Sequence, residues 1–201
     1  YGMTNTQGVT LSMMMNHGYS VIKNIKKSIT VIDMPFKTYE NKYQAFKNAK
    51  KLLNFSNANL IKIEIDKNKL SILKHLTTKD INTIAHIGVT PQNYKDFRKI
   101  KVIGRTNSER KKLIELAKKS EEYGAKAILL ECVTAQTSKL ISSSVSIPTI
   151  GIGASKHCDG QILVFDDLIN LSTNDKKPRF VKNYFNFNKV ASNVVKKYNR
   201  E

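Results

Sequence analysis

Short apolar runs recur along this chain at helix-length intervals, and that alternation limits the possible folds more than any other feature. Residues 127–131 read Ala-Ile-Leu-Leu-Glu, residues 148–152 Pro-Thr-Ile-Gly-Ile and residues 162–165 Ile-Leu-Val-Phe. Uninterrupted Val/Ile/Leu of this length is the pattern of parallel strands covered on both faces. Three further strands are predicted at residues 28–36, 60–64 and 83–86, the second alternating Ile with charge. Between them the 3.6-residue spacing of apolar side chains predicts helices over residues 10–27, 41–53, 68–76, 107–123 and 135–144. Gly124 stands where the fourth of these should be capped. Residues 88–106 read as a long loop, residues 175–178 begin a polar tail, and residues 188–198 read as a terminal helix.

Strand–helix alternation means a parallel sheet with helices outside, an α/β fold. A (β/α)8 TIM barrel needs eight strands and about 250 residues. Six strands in 201 residues, opening on a helix and without an initiator Met, predict a barrel lacking its first two strands, a shortfall of about 50 residues on that same scale. One partial barrel domain over residues 1–201 is expected, with a tail helix from about residue 183. The alternative, a doubly wound open sheet, finds no GxGxxG phosphate loop to support it.

The formal charge of +18 suggests nucleic acid at first sight. Only five of the 34 basic residues are arginine, and the lysines are scattered along helices and tails with no aromatic interleaving. A nucleic-acid partner is therefore not expected, and a basic surface that attracts small anions fits better. No apolar run approaches the ~20 residues of a membrane span, and the N-terminus shows no secretory pattern. Two cysteines, Cys132 and Cys158, make no disulfide framework. A reducing cytoplasm is the expected compartment.

Several residues invite a chemical reading. Glu131 ends an apolar strand, either as a surface acid or as a group delivered to the mouth of a barrel. Asp33 ends another, as a turn cap or a mouth residue. Lys62 and Glu64 are two apart on one strand and share a face, an outward surface pair or a working pair. His86 closes a strand, and a lone histidine is more often structural. Gly151-Ile152-Gly153 is followed by no clear helix start, which leaves close backbone approach rather than a phosphate loop.

Asp33-Met34-Pro35-Phe36, Lys62-Ile63-Glu64, His86-Ile87-Gly88-Val89-Thr90-Pro91-Gln92, Lys101-Val102-Ile103-Gly104-Arg105, Leu130-Glu131-Cys132-Val133, the segment Ile147 to Gly153 and Asp159-Gly160-Gln161-Ile162-Leu163-Val164 follow one another along the chain. In this order they resemble the ketopantoate hydroxymethyltransferase family of pantothenate biosynthesis. The resemblance implies a TIM barrel of the phosphoenolpyruvate/pyruvate type and transfer of a hydroxymethyl group from 5,10-methylenetetrahydrofolate to 3-methyl-2-oxobutanoate through a Mg²⁺-stabilised enolate. It implies Glu131 as the catalytic base, Asp33 and Glu64 as ligands of Mg²⁺ or its waters, and Asp33, Lys62 and His86 as substrate-binding residues, Lys62 toward the substrate carboxylate. It also implies a homo-oligomer, a decamer, with a 2-oxo acid and a folate as its small-molecule partners. The chain departs from the family in three places, one being Phe165-Asp166-Asp167, where the family usually has His-Asp at the latter two positions. A Gly-Asp-Ser motif bearing a second metal aspartate does not occur, and Ile65-Asp66 stands where two glycines usually follow the glutamate. Two other readings stay open. One is another Mg²⁺-dependent 2-oxo acid enzyme of the same barrel superfamily, although the Lys-Lys-Cys-Gly-His type loop is absent. The other is an inactive fragment or non-catalytic homologue.

Overall fold

The computed structural model describes residues 3, 5–96, 100–171, 178–182 and 184–201. Six strands, β1 (Val31–Asp33), β2 (Leu60–Glu64), β3 (Thr83–Gly88), β4 (Ala127–Glu131), β5 (Thr149–Ile152) and β6 (Gly160–Gln161), lie side by side in chain order in one sheet. Every pair from β1 to β5 is parallel. Helix α1 (Leu11–Ile22) precedes β1, and α2 (Lys42–Ser56), α3 (Leu70–Thr77), α4 (Asn107–Glu122) and α5 (Ala135–Ser142) make the four crossovers that follow. A strand order that never reverses is the winding of a barrel; a doubly wound sheet would reverse at a switch point. The sheet is a curled half-barrel of six strands, the α/β architecture the alternation predicts.

The chain divides into two compact units, residues 1–160 and 161–201. The second contains α6 (Phe165–Leu168) and α7 (Phe187–Tyr198), joined by a hydrogen bond of 2.9 Å from Phe187 N to the Ile169 carbonyl.

Local chemistry sets the helix boundaries. Asn41 caps α2 by accepting from Gln44 N, and Asn57 closes it in the left-handed region at φ 60°. Thr106 and Glu109 form a reciprocal capping box at the start of α4. Gly124, at φ +85°, follows its end as expected.

The two faces of the sheet bury different layers. Ile61, Ile63, Ala85, Ile87, Ile128 and Leu130 point to the helices and pack with Leu52, Leu73, Leu76 and Ile141. Truncating any of these fully buried leucines to alanine would cost about 2–5 kcal/mol. The opposite, concave face carries a smaller apolar layer of Ile84, Ala127, Leu129 and Ile152, with Leu60 and Ile150 against it. Parallel strands with apolar residues on both faces are thereby explained: each face has its own core.

Four strands differ from the sequence expectation, β5 only in starting at Thr149 rather than Pro148. The run at residues 28–36 contracts to Val31–Asp33, because β1 pairs with β2 only from Val31 to Asp33 and Pro35 cannot donate to a ladder. The third strand runs two residues further, to Gly88, because Ile87 and Gly88 pair with Leu130 and Glu131. Residues 162–165 do not form a strand. The pairing stops at Gln161, and Phe165 opens α6, where Asp166 and Asp167 in the first turn favour a helix start. Most of the polar stretch at residues 175–178 lies outside the described residues.

Candidate active site

Parallel pairing aligns the concave face into rows. Asp33 pairs with Lys62, Lys62 with Ile84 and Ile84 with Ala127. The next row runs Glu64, His86, Leu129, Ile150, and the one after it Gly88, Glu131, Ile152. Each row ends apolar, and the polar residues step upward as the strands advance around the sheet. Asp33, Lys62, Glu64, His86 and Glu131 therefore form a diagonal band on the concave face, at the carboxyl ends of β1 to β4. In a (β/α) barrel this is the end where active sites sit.

Their contacts are close. Lys62 Nζ lies 2.9 Å from Asp33 Oδ2, and His86 Nε2 lies 3.3 Å from Glu131 Oε2. Burial by itself would lower the pKa of Lys62, but the charge and hydrogen bond of Asp33, followed by the charges of Glu64 and Glu131, outweigh it and raise the pKa above its ordinary value. Lys62 is a permanent cation among three carboxylates. Burial lowers the pKa of His86; contact with Glu131 opposes that and Lys62 adds to it. His86 is thus held neutral, able to donate from one ring nitrogen and accept at the other. Its approach to Glu131 is within reach but does not complete a hydrogen bond, so both ring nitrogens are buried without one. Glu64 is buried, and desolvation raises its pKa to about 7 although the Gln92 N–H, Lys62 and Lys69 pull it down. Glu64 Oε1 accepts from Gln92 N at 3.0 Å, while Oε2 is buried without a partner.

The frame around these groups is specific. Gly88 stands opposite Glu131 at φ +104°, and a Cβ there would collide with the Glu131 carbonyl oxygen. Cys132, next in the chain, adopts φ +50° and turns out of the strand; its N–H donates to the Ile152 carbonyl and its carbonyl accepts from Ile103 N. Ile103 bridges to Val133, and the Gly104 carbonyl accepts from the Thr134 and Thr137 hydroxyls at 2.9 and 2.7 Å. The loop expected over residues 88–106 is thus anchored beside Glu131 at its far end. Ile65 joins the helix-side core, and Asp66 Oδ1 accepts from Asn68 N and Lys69 N, which gives the departure from the double glycine a defined turn into α3.

Two residues at this end escaped the sequence reading. Gln92 was noted only as the last member of a motif, and Tyr39 not at all; both hydrogen-bond to Glu64. Their signal is contact between distant segments, which no local pattern carries.

Among the described residues, no three His, Cys, Asp or Glu groups form a closed metal cage. Mg²⁺ does not require one, since it keeps several waters and binds through one or two carboxylates. Asp33 and Glu64 offer hard oxygens of that kind, and the buried, unpartnered Glu64 Oε2 is the best placed of them. The donor set fits the ion.

Comparison with known proteins places the chain in a family. The sequence profile described as Ketopantoate hydroxymethyltransferase matches residues 1–201. The chain is 42% identical over 201 residues to the 3-methyl-2-oxobutanoate hydroxymethyltransferase of Pelagibacter ubique, covering all of this chain and 76% of that protein. It is 40% identical to the proteins of the same name from Rhizobium rhizogenes and Clostridium botulinum, covering 74% and 73% of them. The chain thus spans about three quarters of these relatives' length. On the match along its whole length and on its identity to these enzymes, the chain belongs to the ketopantoate hydroxymethyltransferase family.

Proposed function

We propose that this chain transfers a hydroxymethyl group from 5,10-methylenetetrahydrofolate to 3-methyl-2-oxobutanoate, giving 2-dehydropantoate. The observation that carries the reading is the diagonal band: one half-buried cation, one neutral imidazole and three carboxylates on the concave face of a half-barrel whose chain belongs to this family.

Each residue has work its position suits. Lys62 receives the substrate carboxylate, exchanging its contact with Asp33 for an equivalent one. Glu131 takes the proton from C3 as general base. His86, a neutral imidazole with a single N–H, lies within 3.3 Å of that carboxylate and directs its N–H toward the substrate oxygen. Asp33 and Glu64 would hold Mg²⁺. Bound there, the ion supplies Lewis acidity that makes the C3 proton easier to remove. The folate supplies the electrophilic carbon, and the protein's task is to present it to C3. The apolar layer below the band, Ile84, Leu129 and Ile152, gives the branched end of the substrate a dry floor. The same reading carries a homo-oligomer at work in the cytoplasm, with a 2-oxo acid and a folate as partners.

The test is Glu131→Gln in the full-length protein. The amide keeps the shape and loses the base. Exchange of the C3 proton in deuterated water should fall about 10²–10⁴-fold, while Mg²⁺-dependent binding of 3-methyl-2-oxobutanoate persists. Exchange at the wild-type rate would remove Glu131 from the chemistry.

A further inference from the structure

Gln92 is held by four hydrogen bonds, one of them from Gln7 Nε2 to its carbonyl at 2.9 Å. Its backbone N–H donates to Glu64 Oε1 at 3.0 Å, its side-chain amide donates to the Met34 carbonyl at 2.9 Å, and its side-chain oxygen accepts from the Tyr39 hydroxyl at 2.6 Å. The same hydroxyl accepts from Glu64 N at 3.4 Å. Met34 follows Asp33 at the end of β1, Tyr39 lies in the connection from β1 to α2, Glu64 ends β2, and Gln92 sits in the 3-10 turn Pro91–Asn93 after β3. Two side chains thus tie together the ends of three successive strands.

Several features make this more than loop packing. Tyr39 is 2% exposed. A buried phenol is costly unless its hydroxyl is paired, and this one is paired only to Gln92 and the Glu64 backbone among the hydrogen bonds described. The connections also converge on a carboxylate. Glu64 Oε1 is fixed by the Gln92 N–H, and Oε2 is left buried and without a protein partner beside Lys62. A carboxylate gripped by one oxygen has the direction of the other decided for it. The side-chain anchors to Met34 and Tyr39 help fix where Gln92 N sits, on the side that faces Glu64.

We propose that Gln92 and Tyr39 are positioning residues for Glu64, holding its carboxylate so that Oε2 faces the ligands bound at the mouth. Neither touches substrate; both act through Glu64. The proposal rests on the function proposed above for its kinetic test, but its structural test does not.

In crystals of the full-length protein without substrate, Gln92→Ala should release the Glu64 carboxylate into a different rotamer. Tyr39→Phe, which removes one oxygen and keeps the packed ring, should loosen it in the same sense and serves if Gln92→Ala does not fold. An unchanged Glu64 in the variant that folds overturns the proposal. In the exchange assay, Gln92→Ala should lower kcat about 10–100-fold, the range of a hydrogen bond to a charged group, with KM for the 2-oxo acid little changed because Lys62 is untouched. In a Glu64→Ala background neither substitution should cost anything further. Full additivity would show that they act elsewhere and also overturns the proposal. If Glu64 turns in the crystals while the wild-type protein exchanges no proton of 3-methyl-2-oxobutanoate, the positioning role stands and the assigned substrate falls.

Discussion

Glu64 illustrates how much of this site is decided by surroundings rather than residue type. A glutamate ordinarily loses its proton near 4.5; burial brings Glu64 to about 7, against the pull of the Gln92 N–H, Lys62 and Lys69. With the folded pKa above the unfolded one, the folded state binds more protons between the two values. The contribution of this group to stability is therefore complete below about pH 4.5 and is lost as pH rises through about 7, a total of roughly 3 kcal/mol. His86 runs the other way: burial depresses its pKa from 6.5, so its contribution is present above that value and is lost as pH falls. A difference measurement separates them. With divalent ions chelated, urea midpoints taken between about pH 5 and pH 8 should show Glu64→Gln gaining on the wild type as pH rises, by up to that same roughly 3 kcal/mol. Parallel profiles would show that Glu64 does not carry the penalty. Asp33, Lys62, Glu64, His86 and Glu131 were all legible as strand-end groups within motifs. Tyr39 and Gln92 were not, because the contacts that give them meaning span 53 residues between Tyr39 and Gln92 and 28 between Gln92 and Glu64.

At the level of elements, the opposite ends of the strands have separate duties. Gly88 ends β3 at the mouth with φ +104°, and a side chain there would meet the Glu131 carbonyl and lie 2.9 Å from Val133 Cγ2. Gly88→Ala should cost at least about 2 kcal/mol through the strained backbone and clash together. It should also depress C3 exchange, since Glu131 must shift to make room. A variant of wild-type stability and turnover would show that β3 and β4 part here without consequence. Asp159 works at the other end. Its carboxylate accepts from Thr149 N at 2.7 Å and Thr149 Oγ1 at 2.8 Å, fixing the first residue of β5. Asp159→Asn should lower the melting temperature and leave kcat unchanged, whereas a kcat defect in a stable variant would mean that this end communicates with the mouth. The contrast explains what was legible. Helices declare themselves locally, through Asn41, Thr106, Glu109 and Gly124, and their starts were read closely. Strand ends are set by partners. Residues 83–86 lengthened because β4 extends alongside, whereas of the equally apolar residues 162–165 only Phe165 enters an element, as the first residue of the short helix α6. Apolarity alone does not say which neighbour a run will find.

The whole molecule carries 34 basic residues against 16 acidic ones. The imbalance is sharper than those totals, because several acids are already committed. Asp33, Glu64 and Glu131 belong to the site. Asp66, Glu109, Glu121 and Asp159 accept hydrogen bonds from backbone N–H groups at caps and turns. Lys47, Lys50 and Lys51 follow one another along α2, which carries no acid, whereas Lys111, Lys112 and Lys118 share α4 with Glu109, Glu115, Glu121 and Glu122. Their scatter over several elements, rather than along one stripe, is why the charge reads as a general field instead of a docking track for nucleic acid. A field of one sign opposes the compact state through self-repulsion, and salt screens it, reducing the Debye length from ~30 Å at about 10 mM to under ~10 Å at about 150 mM. Adding sodium chloride over that range should therefore raise the melting temperature, by several degrees if repulsion amounts to on the order of 1 kcal/mol. Sodium chloride is the right probe because sulfate would also strengthen apolar burial and confuse the two effects. A midpoint that falls as salt is added would mean that attractive pairs such as Lys62–Asp33 and Lys119–Glu122 outweigh the repulsion among the lysines. Such a fall would make the net charge a poor guide to what holds this protein together.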